Sequence, residues 1–423
     1  MTSNIHFSEN QIVTPVNSTL LRDRFETIRR QTEHICSELT IEDHCIQPRA
    51  EVSPPKWHMA HTTWFFEEVI LKKFAPEYSN FDPVFAVLFN SYYKSVGEHT
   101  PQSQRGFLSR PSVEQVYAYR AAVDRAIAEL INSTADLDAI APLVELGLQH
   151  EQQHQELLYM DIKAILAENL EQPAYCAPTA HSAEKSTAAR QLRSRFEEGL
   201  YEIGNDTSAF MYDNESPVHK HYLYSFEIDS HLVSNAEFEE FIDAGGYQQA
   251  QWWLSEGWEW VNQNAISHPL YWSMTDQGWQ QFTLFGARPL PEAAPVSHVS
   301  YFEADAYARW RKQRLPTEQE LETWLSANHS AGDQSEPSIE PFDLAAVDNQ
   351  VWCWTASQYT AYPRFTPYDG DLAEYNGKFM CNQFVLRGAC AATPIEHYRP
   401  SYRNFFKPEQ RWMFSGIRLA KDI

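Results

Sequence analysis

Two histidines, His150 and His154, stand four positions apart in a stretch with helical apolar periodicity. Residues four apart lie on one face of an α-helix, about 5–6 Å apart at Cβ, so both imidazoles can reach one metal ion. Because a buried polar group needs a partner, two histidines on a buried face favour metal ligation over two separate core histidines. The residues predicted to extend that face are Leu143, Leu146, Gly147, Gln153, Leu157 and Asp161.

The same spacing spells H-E-x-x-H, the signature of zinc metalloproteases, in which Glu151 would be the general base. A third ligand has to come from elsewhere, and a second helical stretch supplies one. His61 shares a predicted helix face with Trp57 and Trp64, so its ring points inward, and His58, one turn earlier, ranks behind it as a packed or supporting residue. Imidazole suits several divalent metals, so the ligand type leaves zinc and iron open.

The elements that position these histidines are predicted to be helices. Apolar periodicity predicts one helix from Leu20 to Leu39 and another from about Ala139 to Glu168. Ser112 followed by Gln115 has the capping-box spacing, which predicts the start of a helix that runs to about Leu130. Turns containing Pro and Asn between short helices favour an antiparallel bundle.

Composition divides the chain into a helical domain over residues 1–170, a linker over 171–195 and a second domain over 196–423. The linker is rich in Ala, Ser, Thr and Pro without sustained periodicity. After it, Trp, Gly and Pro become frequent and long helical periodicity fades, which predicts an α+β domain with much irregular backbone. Its clearest predicted elements are strands at Leu223 to Ile228 and Phe384 to Arg387, and a helix at Tyr301 to Lys312.

Charge and composition exclude several classes of protein. A formal net charge of -24 argues against a nucleic-acid partner, because phosphate binding needs clustered Lys and Arg. No apolar run reaches the roughly 18 residues that a membrane span needs, and the N-terminal stretch lacks the basic and apolar regions of a secretory signal. The six cysteines are scattered without a CxxC pair, as in reduced proteins. We therefore expect a cytoplasmic enzyme without membrane or nucleic-acid partners.

The histidine pattern resembles a known family. His61 together with His150-x-x-x-His154-x-Glu156 is similar to the three-histidine iron site of DinB-like domains in ergothioneine-biosynthetic sulfoxide synthases. The second half resembles a formylglycine-generating-enzyme-like domain, a C-type-lectin-like fold. The segments that carry this likeness are Pro295–Tyr301, Arg314–Glu318, Val351–Thr355, Leu386–Gly388, Arg403–Phe406 and Gly416–Leu419. The pairing of the two domains is far more specific than any single motif.

The resemblance implies a multidomain α and α+β protein, with a DinB-like four-helix bundle before the second domain. It implies an iron(II) enzyme that joins a thiol, cysteine or γ-glutamylcysteine, to the imidazole of Nα-trimethylhistidine (hercynine) with dioxygen, giving a sulfoxide. Its partners would be these small molecules, and homo-oligomerisation stays open. The neutral histidine ligands His61, His150 and His154 would leave the metal charge uncompensated, which favours a thiolate.

The resemblance also implies four substrate-binding residues. Gln153 corresponds to a glutamine that hydrogen-bonds the substrate imidazole. Asn404, Phe405 and Phe406 correspond to a C-terminal loop that closes over the trimethylammonium group, which suits aromatic faces. Several relatives have Trp-Asp where this chain has Phe405-Phe406, a departure that leaves a carboxylate contact to the substrate without support.

Two adjacent tyrosines complete the predicted site. Tyr92 and Tyr93 resemble a subgroup in which a tyrosine near the iron supports the oxygen chemistry, and we expect one of them to face the metal. Glu156 and Asp161 are candidates for carboxylates that orient the ligand rings. Lys94 and Arg105 are candidates for binding a substrate carboxylate.

Other functions remain open on the sequence. A selenoneine-type synthase using a selenosugar, or a 5-histidylcysteine sulfoxide synthase, would use nearly the same scaffold. A zinc hydrolase explains His150, Glu151 and His154 but leaves the second domain without a role. A non-catalytic lectin-like binding protein explains the second domain and leaves the histidines unused.

Overall fold

A computed structural model describes residues 17–91, 97–177, 193–207, 209–329, 339–342, 348–368 and 375–423. The chain divides into two compact units. The described residues of the first unit fall within Met1–Tyr175, Ser208–Phe210 and Pro367–Tyr375, and those of the second within Cys176–Thr207, Met211–Thr366 and Asn376–Ile423. The described residues 209–210, 367–368 and 375, which the sequence-based division places in the second domain, thus belong to the first unit.

The first unit is helical in its described part. Its helices are α1 (Ser18–Ser37), α2 (Pro55–Phe65), α3 (Lys72–Phe74), α4 (Phe85–Leu88), α5 (Val113–Ser133) and α6 (Leu137–Ala167). A π-helical segment, Phe66–Leu71, continues directly from α2, and 3-10 turns lie at Asp43–Cys45 and Gln102–Phe107. The four longest helices, α1, α2, α5 and α6, pack on one another, which confirms the predicted four-helix bundle.

Local sequence signals fix the helix starts. The Asn17 side chain accepts hydrogen bonds from the backbone N–H groups of Thr19 and Leu20 at the start of α1. The predicted capping box of Ser112 and Gln115 is present at the start of α5. Helix α6 is 31 residues long and presents a continuous buried face from Ile140 onward, because its apolar residues recur at helical intervals.

The second unit combines four described helices with twelve short strands. The helices are α7 (Asn235–Asp243), α8 (Ser255–Gln263), α9 (Tyr301–Trp310) and α10 (Glu318–Asn328). The strands are β1 (Arg193–Phe196), β2 (Gly199–Ile203), β3 (His219–Leu223), β4 (Phe226–Asp229), β5 (Trp272–Thr275), β6 (Gly278–Thr283), β7 (Gly286–Pro289), β8 (Trp352–Gln358), β9 (Phe384–Arg387), β10 (Asn404–Phe406), β11 (Ser415–Gly416) and β12 (Ala420–Asp422). They form described sheets in the orders β1-β4-β12, β10-β9-β8-β11, β2-β3 and β5-β6-β7.

Two predictions for this unit are corrected. The predicted strand from Leu223 to Ile228 is interrupted, because β3 ends at Leu223 and β4 begins at Phe226. The segment Asn404–Phe406, predicted as part of a loop, is strand β10 and pairs antiparallel with β9. The predicted strand at Phe384–Arg387 and the helix that begins at Tyr301 are confirmed.

Apolar side chains from the sheets and α10 form the centre of the second unit. Its buried members include Phe226, Ile228, Leu321, Trp324 and Val351. In the same unit, Glu318 at the start of α10 accepts hydrogen bonds from two buried arginines, Arg387 and Arg403. None of the described helices has both the length and the apolar composition that crossing a membrane requires.

Candidate metal centre

Three histidines from two helices converge in the first unit. His61 lies on α2, and His150 and His154 lie one turn apart on α6. One nitrogen from each ring lies within 4.8 Å of the others, and all three side chains are buried. The structure therefore brings together the three residues that the spacing singled out, in an arrangement that suits one metal ion.

His61 is held on both sides by aromatic rings. Trp57 stacks on it with centroids 4.5 Å apart and planes 14° apart, and Trp64 packs at 5.7 Å. The His61 Nδ1 lies 2.6 Å from the carbonyl oxygen of Phe89, which only accepts, so Nδ1 carries the proton. Its Nε2 is therefore the nitrogen left with a lone pair for a metal.

His154 is held by a buried chain of polar groups. Its Nδ1 lies 2.7 Å from the Nδ1 of His58, and the His58 Nε2 lies 2.9 Å from the Oδ2 of Asp161. Asp161 also accepts a hydrogen bond from the backbone N–H of Ser53 at 2.8 Å. Asp161 thus reaches the candidate ligand through His58 rather than directly.

His150 is positioned by packing. Its ring lies against Phe65, with centroids 5.1 Å apart. One turn earlier on α6, Gly147 lets the ring of Phe66 approach so closely that an added Cβ would lie 2.6 Å from it. The buried Nδ1 of His150 has no hydrogen-bond partner among the described residues, an uncommon state for a buried imidazole nitrogen.

Burial keeps the three rings neutral. It lowers the pKa of His61 and of His154 well below the usual value, and neighbouring histidines push in the same direction. Burial also lowers the pKa of His150 to about 4. Neutral imidazoles are the form that binds a metal, so the unprotonated state needed for ligation exists at neutral pH.

Glu151 does not serve the role that a zinc protease would require. Its carboxylate binds Arg29 at 2.6 Å, Arg120, and the Thr32 hydroxyl at 2.6 Å. Burial alone would raise the pKa of Glu151, but the two guanidiniums outweigh it and hold the pKa below its usual value. A fully buried carboxylate that binds two arginines argues for a structural ion pair and against a general base.

Tyr375 is a site residue that the sequence did not single out. It belongs to the first unit, is buried, and its ring packs edge-on against His150 with centroids 6.0 Å apart. Its hydroxyl donates to the Oε1 of Gln153 at 3.3 Å. This tyrosine is far from the histidines in sequence and lies in a Tyr-rich stretch without periodicity, so only the fold reveals it.

The other predicted residues lie in different places. Tyr92, Tyr93 and Lys94 lie outside the described residues. In the second unit, Phe405 stacks on Tyr359 with centroids 4.0 Å apart, and Phe406 lies edge-on to Trp412 at 5.2 Å. The Asn404 side chain accepts from the backbone N–H of Phe405.

Two further polar candidates lie in the first unit. Glu156 is buried on α6. Arg105 is also buried; its guanidinium lies 3.3 Å from the ring centroid of Trp57 and donates to the Ser53 hydroxyl at 2.8 Å. Arg105 therefore supports the face of Trp57 through a cation–π contact.

The donor set fits a metal with open coordination positions. Three neutral nitrogen ligands leave positions for other ligands, as in catalytic rather than structural sites. The Nδ1 atoms of His61 and His154 are hydrogen-bonded, which orients these rings and leaves their Nε2 atoms for coordination, and His150 offers a buried Nδ1 with no partner among the described residues. Imidazole binds iron and zinc alike, so the geometry indicates a metal centre without naming the element.

Comparison with known proteins identifies the family. The sequence profile of the DinB superfamily matches residues 24–158, and that of the sulfatase-modifying factor enzyme 1-like domain matches residues 179–338. The hercynine oxygenase of Mycobacterium tuberculosis is 31% identical over 329 residues, which cover 69% of this chain and 76% of that protein. The chain belongs to the hercynine oxygenase family.

Other relatives agree with this membership. The hercynine oxygenase of Mycolicibacterium thermoresistibile is 29% identical over 408 residues, covering 88% of each chain. Ergothioneine biosynthesis protein 1 of Schizosaccharomyces pombe is 27% identical over 236 residues, covering 50% of this chain and 28% of that protein. These matches confirm the family resemblance and the two-domain fold class that were inferred from the sequence. As a member of the hercynine oxygenase family, the protein is an oxygenase.

Proposed function

We propose that this chain is an iron(II)- and dioxygen-dependent sulfoxide synthase of ergothioneine biosynthesis. It would join the imidazole of hercynine to the sulfur of cysteine or γ-glutamylcysteine. The observation that carries the proposal is the buried triad of His61, His150 and His154, with the hydroxyl of Tyr375 and the amide of Gln153 beside it. The substrates are small molecules, and the proposed location is the cytoplasm.

The overall reaction balances with these reactants alone. The C–H bond of the imidazole and the S–H bond of the thiol break, and a C–S bond forms. One oxygen atom of dioxygen becomes the sulfoxide oxygen, and the other leaves as water with the two hydrogens. Bound iron(II) would supply the electron-transfer chemistry that lets dioxygen react with closed-shell substrates.

His61, His150 and His154 would hold the iron. Their pKa values lie below the usual value, so they present lone pairs at neutral pH. No carboxylate belongs to the ligand cluster found among the described residues, so the ligands add no negative charge. The uncompensated charge of the metal lowers the pKa of a thiol beside it, which favours the thiolate of the sulfur substrate.

Gln153 and Tyr375 would orient the imidazole substrate. The Oε1 of Gln153 accepts from the hydroxyl of Tyr375, so the amide Nε2–H group is left as a donor. An imidazole ring nitrogen accepts such a hydrogen bond, which would fix the ring plane and present one carbon to the sulfur. The phenol of Tyr375 also carries a proton that it can deliver to a reacting oxygen or sulfur atom.

The remaining assignments follow the family resemblance. Asn404, Phe405 and Phe406 would contact hercynine, whose trimethylammonium group suits aromatic faces such as those of Phe405 and Phe406. Tyr92 or Tyr93 would support the oxygen chemistry. A selenosugar in place of the thiol would define the selenoneine-type activity. Unmethylated histidine in place of hercynine would define the 5-histidylcysteine type.

Product mass tests the proposal. Iron(II)-loaded protein is incubated aerobically with hercynine and either cysteine or γ-glutamylcysteine. The products are then separated by chromatography and their masses are measured by mass spectrometry. We expect a hercynyl-thiol sulfoxide with one of the two thiols, and the better thiol identifies the donor. Unreacted hercynine with both thiols, under conditions where iron is bound, would contradict the proposal. Product from a selenosugar or from histidine instead would assign a sister activity.

A further inference from the structure

The three histidines of the metal centre differ in the partner of their Nδ1 atom. The Nδ1 of His61 donates to a neutral carbonyl, that of Phe89. The Nδ1 of His150 has no partner among the described residues. Only the Nδ1 of His154 meets another titratable ring, that of His58. The three candidate ligands are therefore chemically unequal although all are imidazoles.

The contacts behind His154 form a continuous buried chain. The backbone N–H of Ser53 donates to the Oδ2 of Asp161 at 2.8 Å, and the Nε2 of His58 lies 2.9 Å from the same oxygen. The Nδ1 of His58 then lies 2.7 Å from the Nδ1 of His154. Asp161 and His58 are each 2% exposed, so water does not compete for these bonds.

These contacts decide which nitrogen of His154 is left for a metal. An ionised carboxylate only accepts, so the Nε2 of His58 donates to Asp161. The Nδ1 of His154 is engaged by the Nδ1 of His58 at 2.7 Å, whichever of the two rings donates. The Nε2 of His154 is therefore the nitrogen able to bind a metal.

We propose that Asp161 and His58 are positioning residues that fix His154 as an Nε2 metal ligand and make it a stronger donor than His61. Hydrogen bonding to a buried carboxylate through His58 raises the electron density of the His154 ring. The Nδ1 of His61 donates to a neutral carbonyl instead, which supports that ring less strongly. The inference rests on the proposed metal-binding function and deepens it.

Cobalt(II) binding tests the inference without catalysis. Co²⁺ is titrated into the metal-free full chain, and its visible absorption reports both affinity and ligand field. Asp161→Asn keeps an acceptor oxygen but removes the charge, whereas His58→Phe breaks the chain outright. The matched control is His44→Phe, since His44 is also a buried histidine of the first unit, and its ring bonds the carbonyl of Thr40.

We expect His58→Phe to weaken Co²⁺ binding by about 10- to 100-fold and Asp161→Asn to weaken it by about tenfold. Both should shift the visible bands, because the field of one ligand changes, and His44→Phe should match the wild type in affinity and spectrum. A change in packing alone would not move the cobalt bands of the isosteric Asp161→Asn variant.

Three results would overturn the inference. Asp161→Asn with wild-type affinity and spectrum would show that the carboxylate does not act on the metal, and this variant decides the matter even where His58→Phe fails to fold. Equal losses in His44→Phe and His58→Phe would show a general effect of removing a buried histidine. A wild-type chain that binds no Co²⁺ would overturn the metal-binding function itself, an outcome distinct from the other two.

Discussion

At the scale of single residues, burial from water shapes the metal centre as much as the positions of the ligands do. His61, His150 and His154 are all buried, and burial is the largest cause of their lowered pKa values. The first partners of the site are also buried: His58, Asp161 and Tyr375. Such surroundings strengthen the hydrogen bonds of His61 and His154, which determine the nitrogen of each of these two rings that can bind a metal.

Tyr375→Phe tests the role of the hydroxyl beside Gln153. The substitution keeps the ring against His150 but removes the proton and the hydrogen bond to Gln153. We expect sulfoxide formation to fall about 100-fold, the scale of a lost general acid, while iron affinity stays unchanged. Turnover and metal titration on the same preparation separate the two effects.

A neighbouring tyrosine supplies the control for this experiment. Tyr368 lies 6.3 Å from Tyr375 between ring centroids, and Tyr368→Phe removes a hydroxyl in the same segment. Its sulfoxide formation should stay much closer to that of the wild type. Equal activity of Tyr375→Phe and the wild type would contradict the assigned role.

Glu151→Gln separates a structural role from a catalytic one. The change leaves Arg29 and Arg120 facing a neutral amide in a buried site, so we expect a loss of about 3 kcal/mol in the free energy of unfolding. Activity per iron-loaded, folded molecule should survive. Urea unfolding and turnover measure the two quantities.

Glu145→Gln is the matched control for that substitution, because Glu145 pairs with Arg24 at a partly exposed position of the same helix. Its cost should stay within about 1 kcal/mol. A Glu151→Gln protein that is as stable as the wild type but inactive would support the general-base role that the structure argues against.

Spacing alone predicted that His150 and His154 share a helix face, and the aromatic residues around His61 predicted that its ring points inward; the structure places all three close together. Residue types and spacing were not sufficient for Tyr375, whose proximity to His150 is a long-range contact without a local signal. The contact of His61 with the backbone carbonyl of Phe89 could not be predicted either, because every residue carries such a carbonyl.

At the scale of elements, the metal centre depends on how closely α2 and its π-helical continuation approach α6. The π-helical segment Phe66–Leu71 begins within a turn and a half of His61, and such segments are common at functional sites. Within it, Glu67 is buried and accepts from the hydroxyls of Tyr78 and Tyr119. These bonds hold the widened turn in place.

Gly147→Ala tests this close approach. Alanine normally stabilises a helix relative to glycine by about 1 kcal/mol. Here the added methyl would lie 2.6 Å from the ring of Phe66, which is fully buried against Phe25 and cannot easily move. We expect a net loss of about 1–3 kcal/mol in the free energy of unfolding.

Thermal unfolding compares this variant with Gly199→Ala, in which the added methyl meets nothing within 4 Å. Gly147→Ala should unfold at a clearly lower temperature than both the wild type and the control. A gain in stability for Gly147→Ala would mean that helix propensity outweighs the contact with Phe66.

Glu237 gives the second unit an expected pH dependence. It completes the capping box of α7 with Ser234. Burial would raise its pKa, but the imidazole of His231, 3.7 Å away, and hydrogen bonds from Ser234 outweigh burial and lower the pKa from 4.5 to about 2. The ionised form is therefore favoured by folding, so its stabilisation is complete above pH 4.5 and is lost as the pH falls toward 2.

Urea midpoints of the wild type and Glu237→Gln should consequently differ most at neutral pH and converge at low pH. Glu256→Gln, at an exposed position in the first turn of α8, is the control and should change the midpoint little at any pH. A difference between wild type and Glu237→Gln that grows as the pH falls would contradict the lowered pKa.

Helices were easier to predict than strands for a physical reason. The capping box at Ser112 and the periodicity of α6 are local signals, and both predictions held. The strands of the second unit are short, with their pairing set by distant partners, so the break between β3 and β4 and the strand β10 carried no clear local pattern. A π-helical turn likewise cannot be recognised from apolar residues that recur with the 3.6-residue period of an α-helix.

At the scale of the whole molecule, several positive charges are withdrawn from the surface. In each unit two arginines share one buried glutamate, which gives every buried guanidinium of the set a charged partner. These sets are Arg29 and Arg120 around Glu151, and Arg387 and Arg403 around Glu318. The net charge of -24 is unfavourable for binding a polyanion and agrees with a small-molecule enzyme.

Composition predicted two domains because the change from helical periodicity to Trp-, Gly- and Pro-rich sequence is visible along the chain. It could not predict that residues 367–368 and 375 belong with the first unit. A short segment that returns to an earlier unit is fixed by tertiary contacts, such as that of Tyr375 with His150, and these have no signature in composition.

Oxygen uptake by the iron(II)-loaded chain is the most direct test of the central claim. The account predicts uptake that needs both hercynine and a thiol, and that is abolished by His61→Ala and by His154→Ala, which remove ligands from α2 and α6 respectively. Uptake that persists in both variants, or that proceeds without hercynine at the same rate, would contradict a three-histidine sulfoxide synthase.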